Sequence, residues 1–394
     1  MNPVVAIETF IVTSPRDVPY LGPLGPGEAI NAKGYVVRKG NGTLYPTTDR
    51  SVAVRITARD GTVGWGETYG ICAPRAVCEI IDDLFAPVVV GTEPGDVEST
   101  WDTLYGLMRV RGHSSGFTVD GIAAIDIALW DLRARQLGLP LWAVIGERVH
   151  DRIPSYVSGL PAGSLQQRVA LAVQWKEKGH RAIKFAAVIS HDGIAEEFAA
   201  LRSALGPDVD LMADLHWKFD PPTAVALSSR LAPFTPRFIE APVSPEDVGG
   251  LAYVIAHSEV PIAAGEEWST EYEAALRLNG GGLAFIQPEM AHTGVTQFLR
   301  ILRLAERAGI AVAPHATIGT GIFLAASLHA SATSSGLWRH EWQPSVFDGN
   351  LKHLQTSMAA DSEGYLLPEG MGLGATPAEA FWRRAEPITS FPVP

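Results

Sequence analysis

The sequence predicts an α/β protein, a (β/α)8 TIM-like barrel joined to an N-terminal α+β domain, and three observations carry that prediction. Eight short apolar runs alternate with amphipathic segments over roughly 200 residues, the count and length of such a barrel. Three of these runs, LMADLHW, RFIEAPV and PIAAGEEW, end in acids, Asp214, Glu240 and Glu266, at two equal steps of 26 residues. That step fits one strand, one helix and two loops. A doubly wound open sheet shares the alternation but gives no reason for acids on three consecutive strand ends, whereas a barrel gathers those ends at one mouth. Finally, 394 residues exceed one ordinary core, so a second domain is expected.

Taken in order, residues 4–12 and 51–58 read as strands, and Arg59-Asp60-Gly61-Thr62 is a hairpin turn into a third strand, Val63–Glu67. Between the first two lies PYLGPLGPGEAINAKG, a long irregular stretch that fits a lid or a plain surface loop. From Pro74 to Gly138 the pattern is helical. Ile122, Ile125, Leu129 and Leu132 recur at helical spacing, and Gly138 and Pro140 stop the run. The barrel strands follow as RIPSYVSG, RAIKFAAV, DLMADLH, RFIEAPV, PIAAGEE, LAFIQPE, IAVAPHA and LWRHEW. The boundaries are set at 1–130 for the N-terminal domain and 131–354 for the barrel, with 355–394 packing back on the first domain.

Composition removes several function classes. Hydrophobic residues at 46% and charged residues at 19% fit a well-packed enzyme rather than a disordered chain. A net charge of −12 argues against nucleic acid, which needs a basic face. No apolar run is long enough to span a membrane, and the N-terminus reads as a strand rather than a signal. Cys72 and Cys78 form neither a metal-spaced set nor a disulfide framework, so a cytoplasmic setting is expected.

Three hard oxygen ligands suit Mg²⁺ better than zinc. Strand parity adds Lys184, His216, Gln287 with Glu289, His315 and Glu341, all at strand C-termini. Removing a proton beside a carboxylate makes a dianionic enediolate, and a divalent ion lowers its cost. His315, oriented by Glu289, is the candidate base, and His216 the candidate acid for a departing hydroxyl. Lys184 would offset the acid cluster and attract a substrate carboxylate. Each acid also fits a solvated strand end, and a lone strand-end histidine such as His216 is more often structural. Glu267 should point away from Glu266, Glu341 could pair with Arg339 or His340, and His113 could reach the mouth from the first domain.

With DGTVGWGE near residue 60, IDIALWDLRARQLGLPLWAVIG before the barrel and the three spaced acids, the chain resembles the enolase superfamily, and within it the mandelate racemase subgroup. Proton abstraction by a Lys or His base with Mg²⁺ stabilising the enediolate is that superfamily's established pattern, not one read from this sequence alone. The resemblance runs nearly end to end. It implies a capping domain over the barrel mouth, Asp214, Glu240 and Glu266 as Mg²⁺ ligands, and Glu341 bonding the substrate carboxylate. Two residues depart from the racemase pattern. Lys184-Phe185-Ala186 stands where racemases carry Lys-x-Lys, which removes one of two bases, and QPE with Glu289 replaces QPD. Asp214-Leu215-His216 is similar to the Asp-x-His of the subgroup's sugar acid dehydratases. The implied activity is a hydro-lyase that turns an aldonate or aldarate into a 2-keto-3-deoxy acid. A racemase, epimerase or lactone cycloisomerase, and a catalytically silent sugar-acid binder, are the alternatives. A homo-oligomer, from dimer to octamer, is expected.

Overall fold

The computed structural model describes residues 2–16, 24–39, 42–190, 193–316 and 319–392. Strands β1 (Val4–Pro15), β2 (Thr48–Ala58) and β3 (Val63–Tyr69) form an antiparallel meander, with the β2–β3 turn at 59–62 as the sequence predicts. Helix α1 (Phe117–Leu137) lies against this sheet and ends at Gly138, whose φ of 68° suits glycine.

The approach of β3 to α1 explains the glycines of the VGWGE run. A Cβ on Gly66 would stand 1.9 Å from the Ala124 carbonyl oxygen, and one on Gly64 would stand 2.1 Å from that of Ala128. Only hydrogen fits there, so the strand can lie directly on the helix backbone. Periodicity predicts one buried stripe on this helix, but the structure buries nearly its whole circumference. One side packs in the cap core. The other faces the barrel, where Asp126 accepts from the Thr296 N–H and hydroxyl and Trp130 Nε1 donates to Thr296 Oγ1.

Eight parallel strands make the barrel: β4 (Ser155–Ser158), β5 (Ala182–Ala186), β6 (Asp210–Asp214), β7 (Phe238–Glu240), β8 (Ile262–Ala264), β9 (Phe285–Ile286), β10 (Ala311–Val312) and β11 (His340–Trp342). Their order is β10-β9-β8-β7-β6-β5-β4-β11. The Trp338 N–H donates to Val312 O at 2.8 Å and the Glu341 N–H to Pro314 O at 3.0 Å, which closes the ring. Helices α2 (Leu165–Glu177), α3 (Ile194–Leu205), α4 (Pro221–Leu231), α5 (Val248–His257), α6 (Glu271–Leu278), α7 (Met290–Ala308) and α8 (Ile322–Ser331) surround it. Ser164, Asp220, Asp247 and Thr270 each accept an N–H of the helix they precede, so polar residues set where these helices start.

A last strand, β12 (Ala385–Pro392), pairs antiparallel with β1 and completes the first sheet. Of the expected lid, residues 17–23 lie outside the described residues. The following part forms a small hairpin, with Tyr35–Val37 paired to Leu44–Pro46. Among the described residues, no helix is long and apolar enough to cross a membrane.

Candidate active site

Inside the barrel, side chains two apart on each strand stack in layers. Tyr156, Ala182, Met212, Phe238, Ala263, Phe285 and Ala313 form an apolar lower layer. Two residues further along come Ser158, Lys184, Asp214, Glu240, Gln287 and His315, and Glu341 joins them from β11. The apolar floor excludes water beneath a ring of polar groups, which strengthens every charge interaction above it. Glu266 arrives differently. Its strand ends at Ala264, and Gly265, at φ 125°, turns the chain so that Glu266 Oε2 lies 3.4 Å from His315 Nε2.

Each expected ligand is engaged by a cationic or imidazole group of the chain. Lys184 Nζ bonds Glu240 Oε1 at 2.5 Å and lies 3.2 Å from Glu341 Oε1. Gln287 Nε2 donates to the other Glu240 oxygen at 2.5 Å. Burial alone would lower the Lys184 pKa, but Glu240 and Glu341 outweigh it and hold the ammonium charged. Burial would likewise raise Glu341, yet Lys184 and His315 hold it down at about 2. Glu341 also accepts the Ala316 N–H at 3.0 Å.

His315 sits between acids. Its Nδ1 lies 2.6 Å from Glu289 Oε2, and its Nε2 lies 3.4 Å from Glu266 and 3.5 Å from Glu341. The longer Glu289 therefore reaches the ring in place of an aspartate. Burial disfavours imidazolium, but Glu266, Glu341 and Glu289 together hold the ring well above its ordinary pKa.

His216 lies beyond the strand, which ends at Asp214, so parity does not place it. A left-handed turn does, with φ of 50° at His216 and 54° at Trp217. The His216 N–H donates to Asp214 Oδ1 at 2.8 Å, and its Nδ1 lies 2.9 Å from Oδ2. Non-glycine residues in that region cost on the order of 1 kcal/mol each. Ala241, directly after Glu240, is also left-handed at φ 47°, and its carbonyl accepts the Trp217 N–H at 2.7 Å. Strain thus collects on the two loops behind the first two acids. Burial opposes charge on His216, but Asp214 and Glu266 raise it to about 9.

Glu267 points away, as expected. It lines a small pocket with Trp217, Pro242, Val243 and Leu251, and Trp268 Nε1 donates to its Oε1 at 3.0 Å. His113 is exposed on its loop. Sequence reasoning missed Gln287 as a partner of Glu240, having paired it with Glu289. It also missed Tyr69, whose hydroxyl donates to Glu289 Oε2 at 2.8 Å from the first domain.

Among the described residues, no three His, Cys, Asp or Glu side chains converge as they stand closely enough to hold one ion. The donor chemistry nonetheless fits a hard divalent cation. Asp214 and Glu240 are register partners on adjacent strands, and Glu266 lies just past the end of the next. Burial first, then the Asp214 and Glu240 charges, push Glu266 up to about 8 against the pull of His315. Burial and the neighbouring acids oppose charge on Glu240 and Glu266, a cost that a divalent cation relieves.

Comparisons with known proteins agree with this layout. The family model described as enolase C-terminal domain-like matches residues 167–381, and that of the mandelate racemase / muconate lactonizing enzyme N-terminal domain matches 43–146. A D-galactonate dehydratase of Xanthomonas euvesicatoria pv. vesicatoria is 32% identical over 301 residues, 74% of this chain and 78% of that protein. The crystal structure of a member of the enolase superfamily from Agrobacterium tumefaciens superposes with a TM-score of 0.96 at 49% identity, over 98% of this chain and 100% of that one. The 3,6-anhydro-D-galactonate cycloisomerase of Zobellia galactanivorans superposes at 0.81 with 25% identity, over 98% and 99%.

Proposed function

Because the chain belongs to the mandelate racemase / muconate lactonizing enzyme family of the enolase superfamily, we propose that it is a Mg²⁺-dependent sugar acid dehydratase. The observation that carries this reading is the pairing of one base with one acid. His315 is held by Glu289, His216 is held by Asp214, and Ala186 offers no second base beside Asp214. A racemase needs a base on each face of the substrate carbon, whereas elimination needs one base and one acid.

Asp214, Glu240 and Glu266 would hold the cation. When bound, it would supply Lewis-acid charge to the substrate oxygens and offset the Glu266 charge that helps keep a proton on His315. His315 Nε2 takes the C2 proton, and the electron pair moves into the substrate carboxylate as an enediolate. That pair returns to form C2=C3 as the C3–O bond breaks, and His216 gives its proton to the departing hydroxide, which leaves as water. The enol then tautomerises to the 2-keto-3-deoxy acid. Lys184, pinned by Glu240 and Glu341, places positive charge where the substrate carboxylate docks.

Lactone cycloisomerisation is the second reading; the similar Zobellia structure is a cycloisomerase too, though of an anhydro sugar acid rather than a lactone. It uses the same proton and the same bond polarity, with a ring oxygen as the leaving group. Incubation with Mg²⁺ and a panel of aldonic and aldaric acids and their lactones separates the two. A semicarbazide-reactive keto acid formed from open-chain acids supports the dehydratase. Turnover confined to lactones supports the cycloisomerase, and no turnover across the panel with Mg²⁺ bound would sink both.

A further inference from the structure

Three consecutive residues of β3 bond the barrel on both sides of the candidate base. Glu67 accepts the N–H groups of Thr320, Ile322 (3.0 Å) and Phe323 (3.2 Å), at the start of α8 just beyond His315. Thr68 Oγ1 donates to Ala291 O at 2.6 Å, at the start of α7 just beyond Glu289. Tyr69 Oη donates to Glu289 Oε2, the same oxygen that His315 Nδ1 approaches at 2.6 Å. The Tyr69 ring is itself fixed, with centroids 4.7 Å from His292 and 5.7 Å from Phe323. Glu289 is thereby held at three points, the third being the Ala291 N–H on its Oε1 at 3.0 Å.

We propose that Tyr69 is a positioning residue for the base, so that the orienting dyad is a Tyr69–Glu289–His315 triad built across two domains. Glutamate has one more rotatable bond than aspartate, and a side chain with that freedom loses the geometry that fixes a histidine tautomer unless something else holds it. The Tyr69 hydroxyl supplies that hold. It cannot accept the proton itself, because burial and the Glu289 charge keep its own pKa well above the usual phenol value. The first domain then does more than cover the mouth, since it completes the group that presents His315 Nε2 to the substrate. This inference rests on the assignment of His315 as base but not on the identity of the sugar acid.

The test is proton NMR of the ¹⁵N-histidine-labelled resting enzyme in Mg²⁺, which needs no substrate. A downfield ring N–H bonded to Glu289, identified by its loss in His315→Asn, should exchange with water about tenfold faster in Tyr69→Phe. Thr68→Val is the control. It removes a neighbouring bond between the same two elements and should leave that exchange rate unchanged. Equal rates in wild type and Tyr69→Phe overturn the triad, as does equal acceleration in Thr68→Val, which would mean that the domain contact matters and the hydroxyl does not. With any sugar acid that the wild type turns over, Tyr69→Phe should lower kcat about tenfold with KM changed less than twofold. A fall in neither overturns the proposal. Absence of wild-type turnover counts against the dehydratase reading, and the exchange rates then decide Tyr69 alone.

Discussion

Asp214 holds His216 twice, through the backbone N–H at 2.8 Å on one carboxylate oxygen and through the ring Nδ1 at 2.9 Å from the other. The ring nitrogen left over, Nε2, is therefore fixed in direction relative to the candidate ligand, and the charge of Asp214 keeps a proton available on the ring. An acid placed this way acts after the C–H bond is broken. In His216→Asn, product formation should fall about 100-fold or more while exchange of the α-proton with D₂O persists. Proton NMR of the recovered substrate and a keto-acid assay read the two steps separately. Loss of exchange together with product, with Mg²⁺ still bound, would place His216 before C–O cleavage and refute its assignment.

His315→Asn should remove both. Exchange and turnover fall about 1,000-fold, the range of a lost general base. Calorimetric Mg²⁺ affinity should stay within about threefold, because the Asp214, Glu240 and Glu266 carboxylates remain. Near-native activity would move the base elsewhere.

Asp214→Asn should reverse that pattern, with Mg²⁺ affinity falling about tenfold or more as one anionic oxygen is lost. The rise in Tm that Mg²⁺ gives the wild type should shrink accordingly. An unchanged affinity would show that the ion sits on other groups.

The junction of cap and barrel carries its own pH signature. Burial raises Asp126 to about 7, against the pull of its Thr296 bonds. A carboxyl whose folded pKa exceeds its unfolded value gives its full stability below the unfolded value and loses it as pH rises through the folded one. The wild type should therefore lose stability relative to Asp126→Asn between about pH 4 and pH 7, by a few kcal/mol, with no further change above. Buried His329 and His340, both held at about 4 by burial, slope the other way over an overlapping window. The difference between the two proteins in urea unfolding isolates the Asp126 part, and a flat difference from pH 4 to 7 would disprove it.

How far the site could be read from sequence follows from how each residue is placed. Asp214 and Glu240 end regular strands over an apolar floor, so parity and spacing suffice to bring them together. The 26-residue step finds Glu266, but its direction depends on Gly265 at φ 125°, which no periodicity encodes. For His216 the parity used to place it fails, because a left-handed turn takes over after Asp214. Tyr69 was out of reach. Its partner Glu289 lies 220 residues along the chain, and only the docking of two domains makes them neighbours. The general lesson is that strand-borne groups are legible locally, and groups set by docking are not.

The pairing of β12 with β1 has a consequence for biosynthesis. Residues 6–12 precede the barrel strands in the chain, yet their partners, residues 385–392, follow them and are translated after them. Until then β1 presents an open edge, the kind of surface that recruits other chains. The sheet that carries Tyr69 toward the barrel is therefore completed only after every barrel strand has been made, so a nascent barrel precedes its finished cap. Ribosome-bound or C-terminally shortened forms are accordingly where self-association should concentrate.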